Sequence, residues 1–268
     1  MNARRRLLLA GLVGIEGSLA GCSAVTEEFS DESDSSGDED SQGNDRPIQA
    51  HRCFAEDYPE NTRLAAREAV EVADQLEIDV RRCGSGEIVV FHDETVDGKT
   101  DGSGTVSEMS WDELQELRVL DSDERIPLLE EMLDVIPTDV AVNVELKHHD
   151  IATDVLNVVS EYDHEVILSA IQPTIVMQAD DARESDEVDV ALVGVSEPSR
   201  AVETAVSMNC DRIYFAYQFL VETNALEVAH DVGLWVNTGT LASSSQYAVT
   251  REMDVDGFSG DSAATFEE

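Results

Sequence analysis

The chain has 268 residues, 42% of them hydrophobic, which is enough for one large domain with a buried core. It carries 58 acidic and 17 basic residues, a formal net charge of −41, and its only lysines are Lys99 and Lys147. A surface this acidic repels nucleic acids and anionic membranes, so it excludes both as electrostatic partners. The acid-rich, lysine-poor composition is typical of a halophilic protein, because dissolved salt screens the repulsion between like charges.

The first 22 residues have the pattern of an export signal. Arg4-Arg5-Arg6 precede an apolar run from Leu7 to Ile15, which is too short to span a membrane as a helix. The paired arginines are similar to those of a twin-arginine signal. Leu19-Ala20-Gly21-Cys22 resembles a lipobox, in which Cys22 becomes the lipidated first residue. We therefore expect export and a lipid anchor at Cys22 on the outer face of the cell membrane. The alternative is a plain signal peptide with an incidental cysteine.

Residues 23–46 are predicted to be a disordered linker. From Thr26 to Asp45 the sequence is mainly Ser, Asp, Glu and Gly, with almost no apolar side chains to bury. Such a segment resembles the spacer that holds a lipoprotein off its membrane. The folded domain is predicted to occupy residues 47–268.

From Pro47 onward, short apolar strands alternate with amphipathic helical stretches, which predicts an α/β fold. Eight strand–helix repeats in about 220 residues indicate a (β/α)8 TIM barrel. An extra arm at Glu87–His92 predicts a small insertion after strand two. A doubly wound open sheet is the alternative, although no Gly-x-Gly-x-x-Gly follows the first strand. The predicted barrel strands are Ile48–His51, Leu76–Arg81, Val140–Leu146, Val166–Ala170, Val188–Val195, Arg212–Tyr217, Gly233–Val236 and Asp256–Phe258, and the clearest helices are Thr62–Asp74, Trp111–Leu117, Leu128–Ile136 and Ile151–Tyr162.

Several chemically active side chains fall near the carboxyl ends of these strands, where barrel enzymes carry their sites. His51 ends strand one. Glu77 and Asp79 lie two residues apart in strand two, so their side chains share one face. Glu145 and Lys147 have the same spacing late in strand three. Buried acids need compensation, so the three carboxylates are predicted to bind a metal ion or, alternatively, to form ion pairs with Arg81 or Lys147.

Five motifs, in this order, resemble those of the glycerophosphodiester phosphodiesterase family. The family has a His-Arg-Gly opening, a Pro-Glu-Asn-Thr turn, a Glu-x-Asp strand, a His-Asp arm and a Glu-Leu-Lys strand. The corresponding segments here are His51-Arg52-Cys53, Pro59-Glu60-Asn61-Thr62, Glu77-Ile78-Asp79, His92-Asp93 and Glu145-Leu146-Lys147. The resemblance covers essentially all of residues 47–261.

The resemblance implies a metal-dependent hydrolase that acts on a small-molecule phosphodiester. His51 and His92 would be the general acid and base on opposite sides of the scissile phosphorus. Glu77, Asp79 and Glu145 would hold one divalent cation, Ca²⁺ or Mg²⁺, because hard ions prefer oxygen ligands. Arg52 and Lys147 would contact the phosphate. By strand alternation Arg52 points away from His51, so this role requires the chain to leave the strand there.

The sequence departs from the family pattern at two places. Cys53 stands where the family has glycine, and a side chain there would crowd the phosphate or distort the turn. Near strand seven, alignment on Gly233-Leu234 puts Gly239 where the family has tryptophan. These departures suggest one alternative, a surface lipoprotein that binds phosphoesters or metal without turnover. The resemblance itself leaves a second alternative, a lysophospholipase D-type enzyme that accepts acylated substrates.

Two of the remaining cysteines raise the question of a disulfide. Cys53 and Cys83 follow neighbouring strands, so a bond between them outside the cytoplasm is an open alternative to free thiols. Cys210 is predicted to be a buried, small apolar residue.

Overall fold

The computed structural model describes residues 46–185, 187–194 and 197–267. The predicted signal peptide, Cys22 and the acidic linker up to Asp45 lie outside the described residues, as does Val195 of the predicted fifth strand. Among the described helices, none is both long enough and apolar enough to cross a membrane.

Eight parallel strands form a closed barrel. The first strand pairs with both the second and the last: Ala50 lies opposite Leu76 on one side and opposite Gly260 on the other. This closure confirms the predicted (β/α)8 barrel and excludes the open sheet. The strands are β1 Ile48–Ala50, β2 Gln75–Arg82, β3 Ile88–Val90, β4 Ala141–Leu146, β5 Val166–Ala170, β6 Asp189–Gly194, β7 Arg212–Phe215, β8 Trp235–Leu241 and β9 Gly257–Gly260, and all except β3 belong to the barrel wall.

Helices cover the outside of the barrel and bury its outward side chains, as a parallel sheet requires. The helix that begins at Arg63 has an N-cap in the preceding residue: the Thr62 side chain accepts a hydrogen bond from Ala65 N (3.2 Å). The helices are α1 Arg63–Ala69, α2 Trp111–Leu114, α3 Leu129–Leu133, α4 Ala152–Val159, α5 Pro173–Ala182, α6 Pro198–Ser207, α7 Tyr217–Glu222, α8 Ala225–Asp231 and α9 Ser244–Thr250.

The predicted arm after strand two is present as β3, which pairs antiparallel with β2 and places Val90 opposite Val80. The inserted segment that follows has a small apolar core of its own. Trp111 packs on that core. The core consists of Cys83, Val89, Phe91, Val96, Val106, Leu114, Val119 and Ile126.

The seventh barrel strand differs from its prediction. The apolar run Gly233–Val236 suggested a strand there, but β8 begins at Trp235 and continues to Leu241 through polar residues. The sequence did not predict a strand beyond Val236, because the inward side chains there face a polar cavity rather than an apolar core. The sixth strand ends two residues early, at Phe215, because Tyr217 begins α7.

Candidate active site

The carboxyl end of β1 turns sharply out of the barrel wall. His51–Cys53 form one 3-10 turn, and Arg52, Cys53 and Phe54 have φ values of 48°, 60° and 64°. This left-handed run brings Arg52 back toward the barrel mouth, which meets the requirement that the sequence left open. The φ of Cys53 explains why glycine suits this position.

Cys53 does not point into the site. Its side chain is fully buried in the main apolar core, and its Sγ lies 3.9 Å from the carbonyl oxygen of Glu77. Burial, followed by the charges of Glu77 and Asp79, raises the pKa of the thiol well above its ordinary value. Cys53 and Cys83 are both buried and not disulfide-bonded, so the structure contains no bond between them, and Cys210 is buried as predicted.

Three buried carboxylates meet at the mouth of the barrel. Glu77 and Asp79 project from one face of β2, and Asp79 lies opposite Glu145 of β4 in the strand register. Ligand oxygens of the three side chains all lie within 4.8 Å of one another, close enough to share one metal ion. The predicted metal ligands are therefore brought together by two adjacent strands.

The carboxylate cluster fits a hard divalent cation. All of its ligand atoms are oxygens, the donors that Ca²⁺ and Mg²⁺ prefer. Glu77 Oε1 is buried and accepts no hydrogen bond, which is a costly arrangement for an isolated charged oxygen. A bound cation would compensate that oxygen.

Two basic side chains partly neutralise the negative charge of the cluster. Lys147 Nζ lies 2.8 Å from Asp79 Oδ1 and 2.6 Å from Glu145 Oε1. The predicted ion pairs with Lys147 are therefore present in the cluster. Arg52 Nε lies 3.4 Å from Asp79 Oδ2. Arg81 makes no such pair and instead donates two hydrogen bonds to His92 O (2.9 and 2.7 Å).

The pKa values of the two carboxylates of β2 are shifted in opposite directions. Burial and then the charge of Asp79 raise the pKa of Glu77 well above its ordinary range. Burial also opposes ionisation of Asp79, but the positive charges of Lys147, His92 and Arg52 outweigh it and lower the Asp79 pKa. Glu77 is therefore the member of the cluster that most lacks positive charge.

His51 forms a close pair with Asp261, a residue that the sequence did not single out. His51 Nδ1 donates to Asp261 Oδ1 at 2.6 Å, and His51 Nε2 lies 3.9 Å from Glu77 Oε2. Burial lowers the pKa of His51, but the hydrogen bond to Asp261 and the charges of Glu77 and Asp261 raise it from 6.5 to about 9. Asp261 directly follows β9, so the barrel-end rule was the signal that could have identified it.

His92 is held by the inserted arm that follows β2. Its Nδ1 lies 2.6 Å from Asp93 Oδ1, and Arg81 fixes its carbonyl. His92 lines a small cavity together with Glu145 and Lys147, whereas His51 lines an adjoining cavity that also contains Glu145. Each histidine therefore lines a cavity that it shares with Glu145.

The Pro-Glu-Asn-Thr turn supports this geometry. Asn61 donates to Asp79 Oδ2 at 2.8 Å and accepts from Asp79 N at 3.1 Å, which fixes that carboxylate. Glu60 accepts from Arg52 (3.2 Å) and from Lys99 of the insertion (2.6 Å). The motif was recognised in the sequence, but these supporting roles depend on contacts between distant segments.

The other histidines lie away from the carboxylates. His149 is exposed, and His148 Nε2 accepts a hydrogen bond from Arg82 N (2.9 Å). His164 Nε2 lies 3.0 Å from Ile136 O, and His230 pairs with Asp256 at 2.9 Å. These contacts involve none of Glu77, Asp79 and Glu145.

Curated relatives match the chain over part of its length. A glycerophosphodiester phosphodiesterase from Caldanaerobacter subterraneus is 37% identical over 139 residues, which is 45% of this chain and 56% of the relative. A Bacillus subtilis protein described as a putative glycerophosphodiester phosphodiesterase, YhdW, is 39% identical over 109 residues, 38% of this chain and 45% of the relative. The matched region thus spans about half the length of these curated relatives.

Solved structures share the fold over most of the chain. A glycerophosphodiester phosphodiesterase from Agrobacterium tumefaciens superimposes with a TM-score of 0.73 at 22% identity, covering 82% of this chain and 98% of that one. An Oleispira antarctica phosphodiesterase, solved with the product sn-glycerol-3-phosphate, gives a TM-score of 0.73 at 22% identity over 80% of this chain and 92% of that one.

The sequence model of the glycerophosphoryl diester phosphodiesterase family matches residues 51–265. This range begins at His51 and contains all three carboxylates, His92 and Asp261. The match extends over far more than half of the chain, and it spans the same barrel whose strand ends form the site. The chain therefore belongs to the glycerophosphoryl diester phosphodiesterase family.

Proposed function

We propose that the protein hydrolyses glycerophosphodiesters to glycerol phosphate and an alcohol, using one divalent cation and two histidines. The observation that carries this proposal is the buried cluster of Glu77, Asp79 and Glu145, with His51 and His92 each lining a cavity that Glu145 also lines. Family membership supports the reaction class.

The chain's own residues suit an anionic substrate whose oxygens gain or lose protons. Arg52 and Lys147 provide positive charge beside the cluster, where the phosphate of a diester would bind. His51 and His92 each have one ring nitrogen held by a carboxylate, which leaves the other nitrogen free to exchange a proton. We infer that one histidine takes a proton from water while the other gives one to the leaving oxygen.

Glu77, Asp79 and Glu145 would hold the cation in this scheme. When bound, Ca²⁺ or Mg²⁺ would supply positive charge that stabilises the phosphate in the transition state. Asn61 keeps Asp79 oriented for this purpose, and the amide N–H of Arg52 donates to Glu77 Oε2 at 2.7 Å. Ligand orientation of this kind is the usual role of a surrounding hydrogen-bond network.

The two alternatives receive less support from the geometry. The Cys53 thiol is buried in the core, which removes the steric reason to expect a loss of turnover. The cavity beside His51 has a volume of about 240 Å³, which is below the roughly 300–1,000 Å³ of pockets that enclose drug-sized ligands. An acyl chain would therefore have to lie outside this cavity.

Replacement of either His51 or His92 is expected to abolish most activity. His51→Ala or His92→Ala should lower kcat by about 100-fold or more, because each removes one proton-transfer group. Release of the alcohol from glycerophosphodiesters in high salt measures the effect. His149→Ala, which changes an exposed histidine, is the matched control and should retain full activity. Full activity in both site variants would contradict the proposal.

Metal binding is expected to stabilise the folded protein through Glu77. Ca²⁺ or Mg²⁺ at about 100 times its dissociation constant should add about 2.7 kcal/mol to the free energy of unfolding. Glu77→Gln should remove this gain without destabilising the metal-free protein, because it removes an uncompensated buried charge. Unfolding with and without a chelator measures both effects, and exposed Glu68→Gln is the control. An unchanged metal response in Glu77→Gln would exclude this site.

Asp261 is expected to act on turnover through His51. Asp261→Asn removes the charge that holds the ring, so we expect kcat to fall about 10-fold or more while KM changes little. Asp256→Asn is the matched control, because it alters a second His–Asp pair, with His230, away from the site. Equal effects of the two substitutions on kcat would indicate a structural role only.

We further propose that the protein is an exported halophilic lipoprotein, with residues 1–22 as signal and lipobox, 23–46 as linker and 47–268 as barrel domain. The support is the sequence of residues 1–45 together with the net charge of −41. Anchoring at Cys22 would place the site on the outer face of the membrane.

Substitution of Cys22 tests the anchor. In a halophilic host, Cys22→Ser should move the protein from the membrane fraction to the medium, because no lipid can then be attached. Immunoblots of the two fractions measure this change. Cys83→Ala, which alters a cysteine of the barrel domain, should leave the protein with the membrane. Membrane retention of Cys22→Ser would refute the anchor.

A further inference from the structure

Both lysines of this lysine-poor chain contact carboxylates of the site network. Lys99 and Lys147 are the only lysines among its 17 basic residues. Lys147 pairs directly with Asp79 and Glu145 of the carboxylate cluster. Lys99 belongs to the inserted segment, and its Nζ lies 2.6 Å from Glu60 Oε2. Any effect of Lys99 on the cluster must therefore pass through Glu60.

Glu60 connects Lys99 to Arg52. It is 9% exposed, and each of its two oxygens accepts from a different base: Oε1 from Arg52 (3.2 Å) and Oε2 from Lys99 (2.6 Å). The same turn also holds the backbone of Arg52, because Asn61 N donates to Arg52 O at 3.1 Å. Arg52 Nε then lies 3.4 Å from Asp79 Oδ2. Glu60 therefore orients the guanidinium and shares its negative charge between two cations.

The inserted segment fixes the position of Lys99. Leu120 N donates to Lys99 O at 2.7 Å, and the next residue, Thr100, pairs with Val119 in a short antiparallel bridge. Val96 and Val119 belong to the small apolar core of the insertion. The ammonium group is thus presented to Glu60 by a packed segment rather than by an isolated loop.

Direct contacts join four buried carboxylates and three basic side chains. The carboxylates are Glu60, Glu77, Asp79 and Glu145, and the basic groups are Arg52, Lys99 and Lys147. With all of these groups ionised the net charge is one negative, and one divalent cation makes it one positive. His51 also contacts Glu77, but the charge of its partner Asp261 balances it. The resulting positive charge matches the single negative charge of a phosphodiester.

We propose that Lys99 is a positioning residue for phosphate binding: it neutralises Glu60, so that Glu60 orients the Arg52 guanidinium without cancelling its positive charge. Lys99 acts through these two residues and needs no contact with the substrate. The proposal rests on the proposed function for the place where the phosphate binds. It goes further by giving the inserted segment a part in binding that phosphate.

Removal of the Lys99 charge should change the affinities for phosphate and metal in opposite directions. Lys99→Gln and Lys99→Met should each weaken binding of inorganic phosphate, with Mg²⁺ present, by about 5-fold. Each should also strengthen binding of Mg²⁺ alone by about 2-fold, because less positive charge then repels the cation. Calorimetric titration of the full-length protein in high salt measures both affinities. The effect should persist there, because salt screens buried charges such as Glu60 less than exposed ones.

Further variants separate charge from shape. Lys99→Arg keeps the positive charge and should hold both affinities within about 2-fold of the wild type. The double variant Lys99→Gln/Glu60→Gln removes both opposite charges but keeps an oxygen that accepts from Arg52, so phosphate affinity should return to within about 2-fold of the wild type. Arg118→Gln is the matched control, since it breaks an exposed ion pair of the same insertion, with Asp123, and should change neither affinity.

Unchanged phosphate affinity in both neutral Lys99 variants would overturn the inference. Weaker binding of both phosphate and Mg²⁺ would also overturn it, because that result indicates a loosened site. The same holds if neither Lys99→Arg nor the double variant binds phosphate like the wild type, or if the wild type binds no phosphate. Thermal unfolding checks that each variant folds. If the affinities change as expected but no glycerophosphodiester is hydrolysed, the proposed function fails and the role of Lys99 stands.

Discussion

The burial of three carboxylates at one point of the barrel mouth is the constraint on which the site depends. Glu77, Asp79 and Glu145 are each at most 7% exposed, and charges so placed are stable only when other groups compensate them. Lys147 and Arg52 provide part of this compensation, and the unpaired oxygen of Glu77 shows that it is incomplete. The lack of positive charge makes burial of the cluster energetically unfavourable. It also makes the cluster suitable for a divalent cation.

The barrel supplies these compensating groups from segments that are distant in sequence. The turn after β1 contributes Arg52, the residue after β4 contributes Lys147, and the loop before α1 contributes Asn61. The insertion is connected to the same network through Lys99 and Glu60. Because parallel strands end at a common edge, one charged or polar residue near each strand end is enough to assemble the site.

Much of this arrangement could be predicted from the sequence. Alternating strands and helices predicted the barrel, and acids inside apolar strands predicted the cluster. Asp261 was missed because it is one of 58 acidic residues, and its position directly after β9 becomes informative only once the end of that strand is known. The extent of β8 was missed because its inward side chains, such as Asn237, are polar. The direction of Cys53 depends on three consecutive left-handed residues, a conformation that no residue pattern there indicates.

The His51–Asp261 pair links the two ends of the barrel domain. His51 follows the first barrel strand and Asp261 follows the last, and the two meet only where β1 pairs with β9. During synthesis, the other barrel strands emerge before β9 can complete the ring. The hydrogen bond that orients the His51 ring therefore depends on the same strand pairing that closes the barrel.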